Sequence, residues 1–412
     1  MLIISACSWN DHKEAGAQYS LSGDEDSTTK LTSSHSRKIR SSIRAFVDTT
    51  FKNNSLNGSI LVAKDGEILF EQYKGFAHYK DLDDSISNSS PFHLASVSKT
   101  ITSVAILKLV QEGKLKLDDP ISTYLSNFPI PAITVRLLLN HRSGLPNYVH
   151  YMERLGWNKK NLITNQDVLD FIVNRHTDID IAPANRGFSY SNTNYALLAL
   201  IIEKQSGMSY ADYLKKTFFE PLGMTNSYIF SKEDSAAYMP SYFYGGKKYP
   251  LDFLDLVYGD KNIYSTVRDL LKFETSLVSG QLINDSLLTA AFSPYSFEKP
   301  GTHNYGLGWR MLLLKNGKKI IYHNGWWHGN RTALYYLPEQ KVTIIALCNN
   351  DSKKIYSVRK MADLFGDYLQ TGDKEEDSEK SIVTVSSRHR KKTLHSKLAV
   401  AQKSSRSLAS KN

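Results

Sequence analysis

Cysteine is almost missing from this chain. Its 412 residues include two, Cys7 and Cys348. Two cysteines that far apart build no disulfide framework, which excludes the small stapled folds of many secreted modules. Long apolar runs are missing as well: none reaches the ~20 residues that a membrane-spanning helix needs. No stretch repeats another, which excludes solenoids and propellers. Ligand-type residues do not fall at metal-binding spacing, so no metal and no cofactor is expected. No nucleic-acid recognition fold is legible, so no such partner is expected.

What is there is an ordinary globular composition, 41% hydrophobic and 11% aromatic. The chain is long enough to bury a sizeable core. Its net charge of +10 is unevenly spread. Residues 371–412 hold Arg388, Arg390, Lys391, Lys392, Lys397, Lys403, Arg406 and Lys411 among serines. They are expected to form a disordered basic tail. A solvated tail without a partner is the simpler account, and contact with an anionic lipid or polymer is the alternative. Residues 1–35 are expected to serve export or tethering, with a polar, Ser-rich linker over Ser8–His35. Within them Ile4-Ser5-Ala6-Cys7 resembles a bacterial lipobox, whose cysteine is acylated after cleavage. Only Met1 to Ala6 precede Cys7, with no basic start and almost no apolar region. Either the true start lies upstream and Cys7 is lipidated, giving a membrane tether, or the match arises by chance. The expected location is the periplasm or cell envelope.

Residues 36–370 read as the folded domain. Ile39, Ile43, Phe46 and Val47 space an amphipathic helix over Arg37–Phe51. Asp65-Gly66 joins the strands Gly58–Lys64 and Glu67–Tyr73 as a tight hairpin. Ser96–Leu109 reads as a buried helix. Further helices are expected at Thr134–Asn140, Asn165–Val173, Asn194–Gln205, Ser209–Phe219 and Val267–Leu277. Strands return at Tyr305–Leu314, Lys318–His323, Thr332–Leu337 and Lys341–Leu347, and a helix at Lys354–Leu369 closes the domain. Cys348 ends a buried strand and is expected to be inert. Strands at both ends and helices between them predict an α/β (α+β) domain: one antiparallel sheet flanked by helices, with a mainly helical insert. The site is expected at the junction of the two parts.

Three short motifs carry chemistry. Ser96-x-x-Lys99 puts a hydroxyl and an amine on one helical face, one turn apart. That is the arrangement that activates a weak nucleophile. Alone it is a weak signal, because the chain contains four such pairs: Ser27/Lys30, Ser96/Lys99, Ser296/Lys299 and Ser357/Lys360. Only Ser96/Lys99 follows an extended Phe-His-Leu-Ala entry and precedes an apolar helix. Ser98 faces elsewhere. Tyr190-Ser191-Asn192, just before a helix, offers a phenol to relay protons and an amide to hold a carbonyl; a cap with a packed tyrosine is its plain alternative. His323-Asn324-Gly325 ends an apolar strand, where the glycine is expected to let a substrate backbone approach.

With these residues the chain resembles the serine β-lactamase and penicillin-binding-protein superfamily, in its class C β-lactamase-like branch. Leu138-Leu139-Asn140-His141-Arg142-Ser143-Gly144-Leu145-Pro146, Pro221-Leu222-Gly223-Met224, Ser265-Thr266-Val267-Arg268-Asp269-Leu270 and Tyr305-Gly306-Leu307-Gly308-Trp309 extend the likeness over Arg37–Leu369. The resemblance implies a β-lactamase/transpeptidase-like fold and the following roles. Ser96 is the nucleophile, and Lys99 or Tyr190 takes its proton. Asn192, His323 and Gly325 bind substrate. The backbone N–H groups of Ser96 and Trp326 form the oxyanion hole. Trp326 and Trp327 wall the cleft or simply pack. The His141 segment is expected to be structural. True class C enzymes usually carry lysine where this chain has His323, so His323→Lys is expected to favour carboxylate-bearing substrates.

The function implied is a serine hydrolase acting through an acyl-enzyme on a small ester, amide or D-amino-acid peptide. A class C-like β-lactamase is the alternative within the enzymes. A penicillin-sensing module that is acylated without turnover is the alternative outside them.

Overall fold

The computed structural model describes residues 33–370 apart from 53–54 and 80–82. Cys7, with the rest of the N-terminal segment up to residue 32, and the basic tail lie outside the described residues. Helix α1 (Ser33–Thr50) leads into β1 (Gly58–Lys64) and β2 (Glu67–Lys74). Strand β3 (Phe92–His93) and a 3₁₀ turn at Ala95–Val97 deliver α2 (Ser98–Gln111). The middle of the chain is helical: α3 (Val135–Leu139), α4 (Tyr148–Arg154), α5 (Asn165–Arg175), α6 (Asn192–Ser206) and α7 (Tyr210–Leu214). Then come β4 (Tyr228–Ile229), β5 (Ile263–Ser265), α8 (Val267–Val278) and α9 (Asp285–Ala291). The chain returns to strands in β6 (His303–Tyr305), β7 (Arg310–Leu313), β8 (Lys319–Trp327), β9 (Asn330–Leu337) and β10 (Val342–Cys348), and ends in a 3₁₀ helix, Lys353–Leu364.

The main sheet is antiparallel, with strand order β2-β1-β10-β9-β8-β7-β6. The β1–β10 pairing closes the two ends of the domain on each other, and the helical middle lies between them, as the sequence predicts. Alternation along the strands feeds two cores. Ile60, Val62, Ile344 and Ala346 meet Ile39, Ile43 and Val47 of α1 and the closing 3₁₀ helix. Leu61, Ala63, Ile345 and Leu347 face the larger core with α2, α6 and α8. A sheet covered on both faces explains why β9 and β10 are buried along their whole length.

Two local expectations change, and one element is new. The expected strand Tyr305–Leu314 breaks at Gly306–Trp309, where Gly308 takes φ +93° and lies against Ser103 of α2. A side chain there would strike that helix, so the glycines bend the chain at the close approach. The closing helix winds as 3₁₀ and stops at Leu364. A second small sheet, β3-β5-β4, has strands of two or three residues, too short to show a period. It ties the segment before Ser96 to the residues before α8.

Candidate active site

Ser96 sits on the 3₁₀ turn that enters α2, a helix buried on most of its surface. Ala95 holds φ +49°, a left-handed conformation that costs a residue with a Cβ and persists only when its surroundings enforce it. His93 is one such constraint. Its Nδ1 accepts the Ala95 N–H at 3.0 Å, and its Nε2 donates to Asn262 Oδ1 at 2.9 Å. Burial pulls the His93 imidazole down to about 4, which keeps it neutral and able to do both. Ser98 turns inward, where its Oγ accepts the Ile263 N–H.

Lys99 is fully buried. Its Nζ lies 3.3 Å from Ser96 Oγ, 2.9 Å from Asn192 Oδ1 and 2.7 Å from the Asp260 carbonyl. Two of these three neighbours are carbonyl-type oxygens that only accept. An ammonium donates to all three. A neutral amine donates to Asn192 and Asp260, and its lone pair then points at the Ser96 hydroxyl. The first and second motifs therefore meet at Lys99, with Asn192 placed by the start of α6.

Tyr190 packs its ring against this centre. The Lys99 Nζ lies 5.1 Å from the ring centroid, and the Arg310 guanidinium 4.9 Å from it. The Tyr190 hydroxyl is buried and makes no hydrogen bond. Beneath it the His141 ring lies 4.3 Å away, tilted by 39°, and braces the Tyr-x-Asn loop. The His141 Nδ1 accepts from the Ser191 N–H at 3.2 Å and from Asn194 Nδ2 at 3.1 Å. Burial, reinforced by the charges of Lys99 and its neighbours, holds His141 well below the usual imidazole range.

His323 departs from expectation. It is fully buried, donates from Nδ1 to the Asn324 carbonyl at 2.8 Å and accepts at Nε2 from Tyr305 Oη at 3.1 Å. Burial first, then the Arg310 and Lys99 charges, push it well below its ordinary value. The structure therefore contains a neutral, engaged imidazole rather than a partly charged group offered to a substrate carboxylate. Arg310, on β7, puts a guanidinium beside Tyr190.

Gly325 has a reason other than the one its sequence context suggests. A Cβ there would lie 2.5 Å from the Leu94 carbonyl and 3.0 Å from the Ala95 Cβ. The backbone that approaches it is the protein's own entry to Ser96. Thr332, its partner across β8 and β9, donates its hydroxyl to Leu94 O at 2.7 Å. The β8–β9 hairpin closes at Trp327/Asn330 around His328-Gly329. Alternation of the ladder then makes Trp326/Arg331 a non-hydrogen-bonded pair, which aims the Trp326 N–H away from β9. On that side β8 passes the Ser96 turn. The Trp326 ring is half exposed and is covered by the Arg331 guanidinium at 4.3 Å, so it packs on Arg331.

Sequence reasoning missed Arg310, His93 and the Asp260-Lys261 pair. Lys261 is buried behind Lys99, with its Nζ 3.6 Å from Asp260 Oδ1 and bonded to the Tyr148 hydroxyl. The segment Gly259-Asp260-Lys261 carries no spacing that announces it. For His93 the one available signal was its place in the extended entry to Ser96.

A family model described as Beta-lactamase matches residues 39–365. Penicillin-binding protein 4* of Bacillus subtilis (strain 168) is 31% identical over 364 residues, covering 84% of this chain and 80% of the relative. Among solved structures, the octameric penicillin-binding protein homologue from Pyrococcus abyssi aligns at 26% identity and a TM-score of 0.65, covering 78% of this chain and 77% of that one. The D-amino acid amidase from Ochrobactrum anthropi SV3, complexed with L-phenylalanine amide, shares the fold at 23% identity and a TM-score of 0.64, covering 80% and 97%.

Proposed function

Because the chain belongs to the β-lactamase family of serine hydrolases, we propose that it cleaves small amides, esters or D-amino-acid peptides through an acyl-enzyme on Ser96. The observation that carries this reading is the environment of Lys99. Two fixed carbonyl-type acceptors occupy two of its N–H groups and leave its third position facing the Ser96 hydroxyl. Lys99 takes the Ser96 proton as Oγ attacks the substrate carbonyl. The Ser96 and Trp326 N–H groups receive the developing oxyanion, an interaction whose loss typically costs about a hundredfold or more in rate. Tyr190, whose hydroxyl has no protein partner, passes a proton to the departing amine or alcohol. Water then cleaves the ester, and the proton path runs in reverse.

Asn192 contributes through its Nδ2, since its Oδ1 is held by Lys99. Arg310 supplies the charge for a substrate carboxylate, and His323 keeps the adjoining Tyr305 in place. The similarity to a penicillin-binding protein favours a second reading, acylation by penicillin with slow release. An envelope location is part of the proposal and rests on the Cys7 segment; no described helix is long and apolar enough to cross a membrane.

The test is a panel of D- and L-amino-acid p-nitroanilides and a p-nitrophenyl ester, read with wild type, Ser96→Ala and Arg310→Gln. The expected result is turnover that vanishes in Ser96→Ala. In Arg310→Gln, KM is expected to rise for substrates ending in a free carboxylate and to stay unchanged for neutral ones. Normal turnover by Ser96→Ala would overturn the assignment.

A further inference from the structure

A second group of side chains lies beyond the catalytic centre, at the tip of the β8–β9 hairpin. Asp252, Asp255 and His328 each offer a ligand atom, and these atoms all lie within 4.8 Å of one another. Asp252 and Asp255 lie within one turn of chain, but His328 is 73 residues from Asp255, so no local spacing announces the trio. His328 Nε2 stands 3.1 Å from Asp255 Oδ1 and 3.2 Å from Oδ2. Two ligands of a tetrahedral zinc, each about 2.0–2.1 Å from the ion, stand roughly 3.3 Å apart.

The carboxylates are oriented from behind. Asp255 Oδ1 accepts the Trp327 indole N–H at 2.7 Å, and its Oδ2 accepts the Asp252 N–H. Asp252 Oδ1 accepts the Leu254 N–H at 2.8 Å. Supports of this kind fix ligands ahead of an ion. A separate observation points the same way. Asn330 is 4% exposed, and its Oδ1 is buried without a hydrogen-bond partner. It lines, with Asp255 and His328, a cavity of about 20 Å³. A space of that size holds one water-sized species. A hydrogen bond between His328 and Asp255 explains their contact, but not the stranded amide oxygen of Asn330.

We propose that Asp252, Asp255 and His328 bind one divalent zinc ion, with Asn330 Oδ1 as the oxygen facing it. The ion takes no part in acyl transfer. It pins the loop that contains Asp252 and Asp255 to the hairpin tip. That tip lies two residues from Trp326, so the ion steadies the rim on which the oxyanion hole depends. This inference stands whether or not the proposed substrates are correct.

The test uses the full chain, freed of metal with EDTA and dialysed. Zinc chloride is titrated calorimetrically and thermal unfolding is followed with and without it. The expected result is one equivalent bound with a micromolar or tighter Kd and a raised Tm. Asp252→Asn and His328→Gln should each weaken binding at least tenfold. Asp252→Asn, at a partly exposed position, should keep the wild-type Tm in EDTA, which separates ligand loss from misfolding. Absence of binding to wild type overturns the proposal. So does zinc bound equally well by both variants, because the ion then sits elsewhere.

Discussion

His323 illustrates how surroundings decide what a residue contributes. An imidazole at the end of a strand reads as a group that is charged part of the time. Burial and two nearby cations make it neutral here, and Tyr305 and the Asn324 carbonyl occupy both nitrogens. His323→Lys therefore does the opposite of what the sequence suggests. It buries an ammonium beside Lys99 and Arg310 and is expected to destabilise the fold by roughly 3 kcal/mol or more, measured by urea unfolding. An unchanged unfolding midpoint together with better turnover of carboxylate substrates would restore the original reading. Ser96, Lys99, Tyr190 and Asn192 were legible because their spacing is local. His93 and Lys99 complete their hydrogen bonds 169 and 161 residues away, at Asn262 and Asp260. No local pattern reports contacts of that span.

At the scale of elements, the β8 strand and the Ser96 turn act as one unit. Gly325 lets the strand lie against Leu94 and Ala95, and Thr332 bonds across to Leu94. Gly325→Ala is expected to push the strand off the turn. The predicted cost is about 1–3 kcal/mol of stability, the usual range for overpacking. The predicted loss in kcat is about a hundredfold, because the Trp326 N–H moves. A variant with wild-type kcat would show that the two N–H groups are positioned in some other way. The amphipathic α1 and the Asp65-Gly66 hairpin were read correctly because a period and a tight turn are local properties. The break at Gly306–Trp309 was not, since its cause is the neighbouring α2 rather than the segment itself.

For the whole molecule, the antiparallel sheet with a helical middle was visible in the order of elements. That β1, rather than β2, meets β10 to close it is a finding of the structure. What the order did not show is a buried acid in the larger core. Glu274 of α8 is fully buried, and neither carboxylate oxygen has a hydrogen-bond partner. Burial pushes its carboxyl up from the ordinary 4.5 to about 8. The folded protein holds a proton that the unfolded chain releases, so the associated stability is complete below pH 4.5. It is lost as pH rises through about 8. Glu274→Gln should flatten that decline and leave the protein more stable above pH 8 by a few kcal/mol, as urea unfolding across the range would show. An equally steep decline in Glu274→Gln would place its origin elsewhere.

The most direct test of the catalytic assignment is an intact-mass time course with a simple penicillin, run on wild type and Ser96→Ala. The account predicts a covalent adduct, or hydrolysed penicillin in the same sample, for wild type alone, and any adduct should map to the peptide that contains Ser96. The same adduct or the same hydrolysis with Ser96→Ala would contradict it.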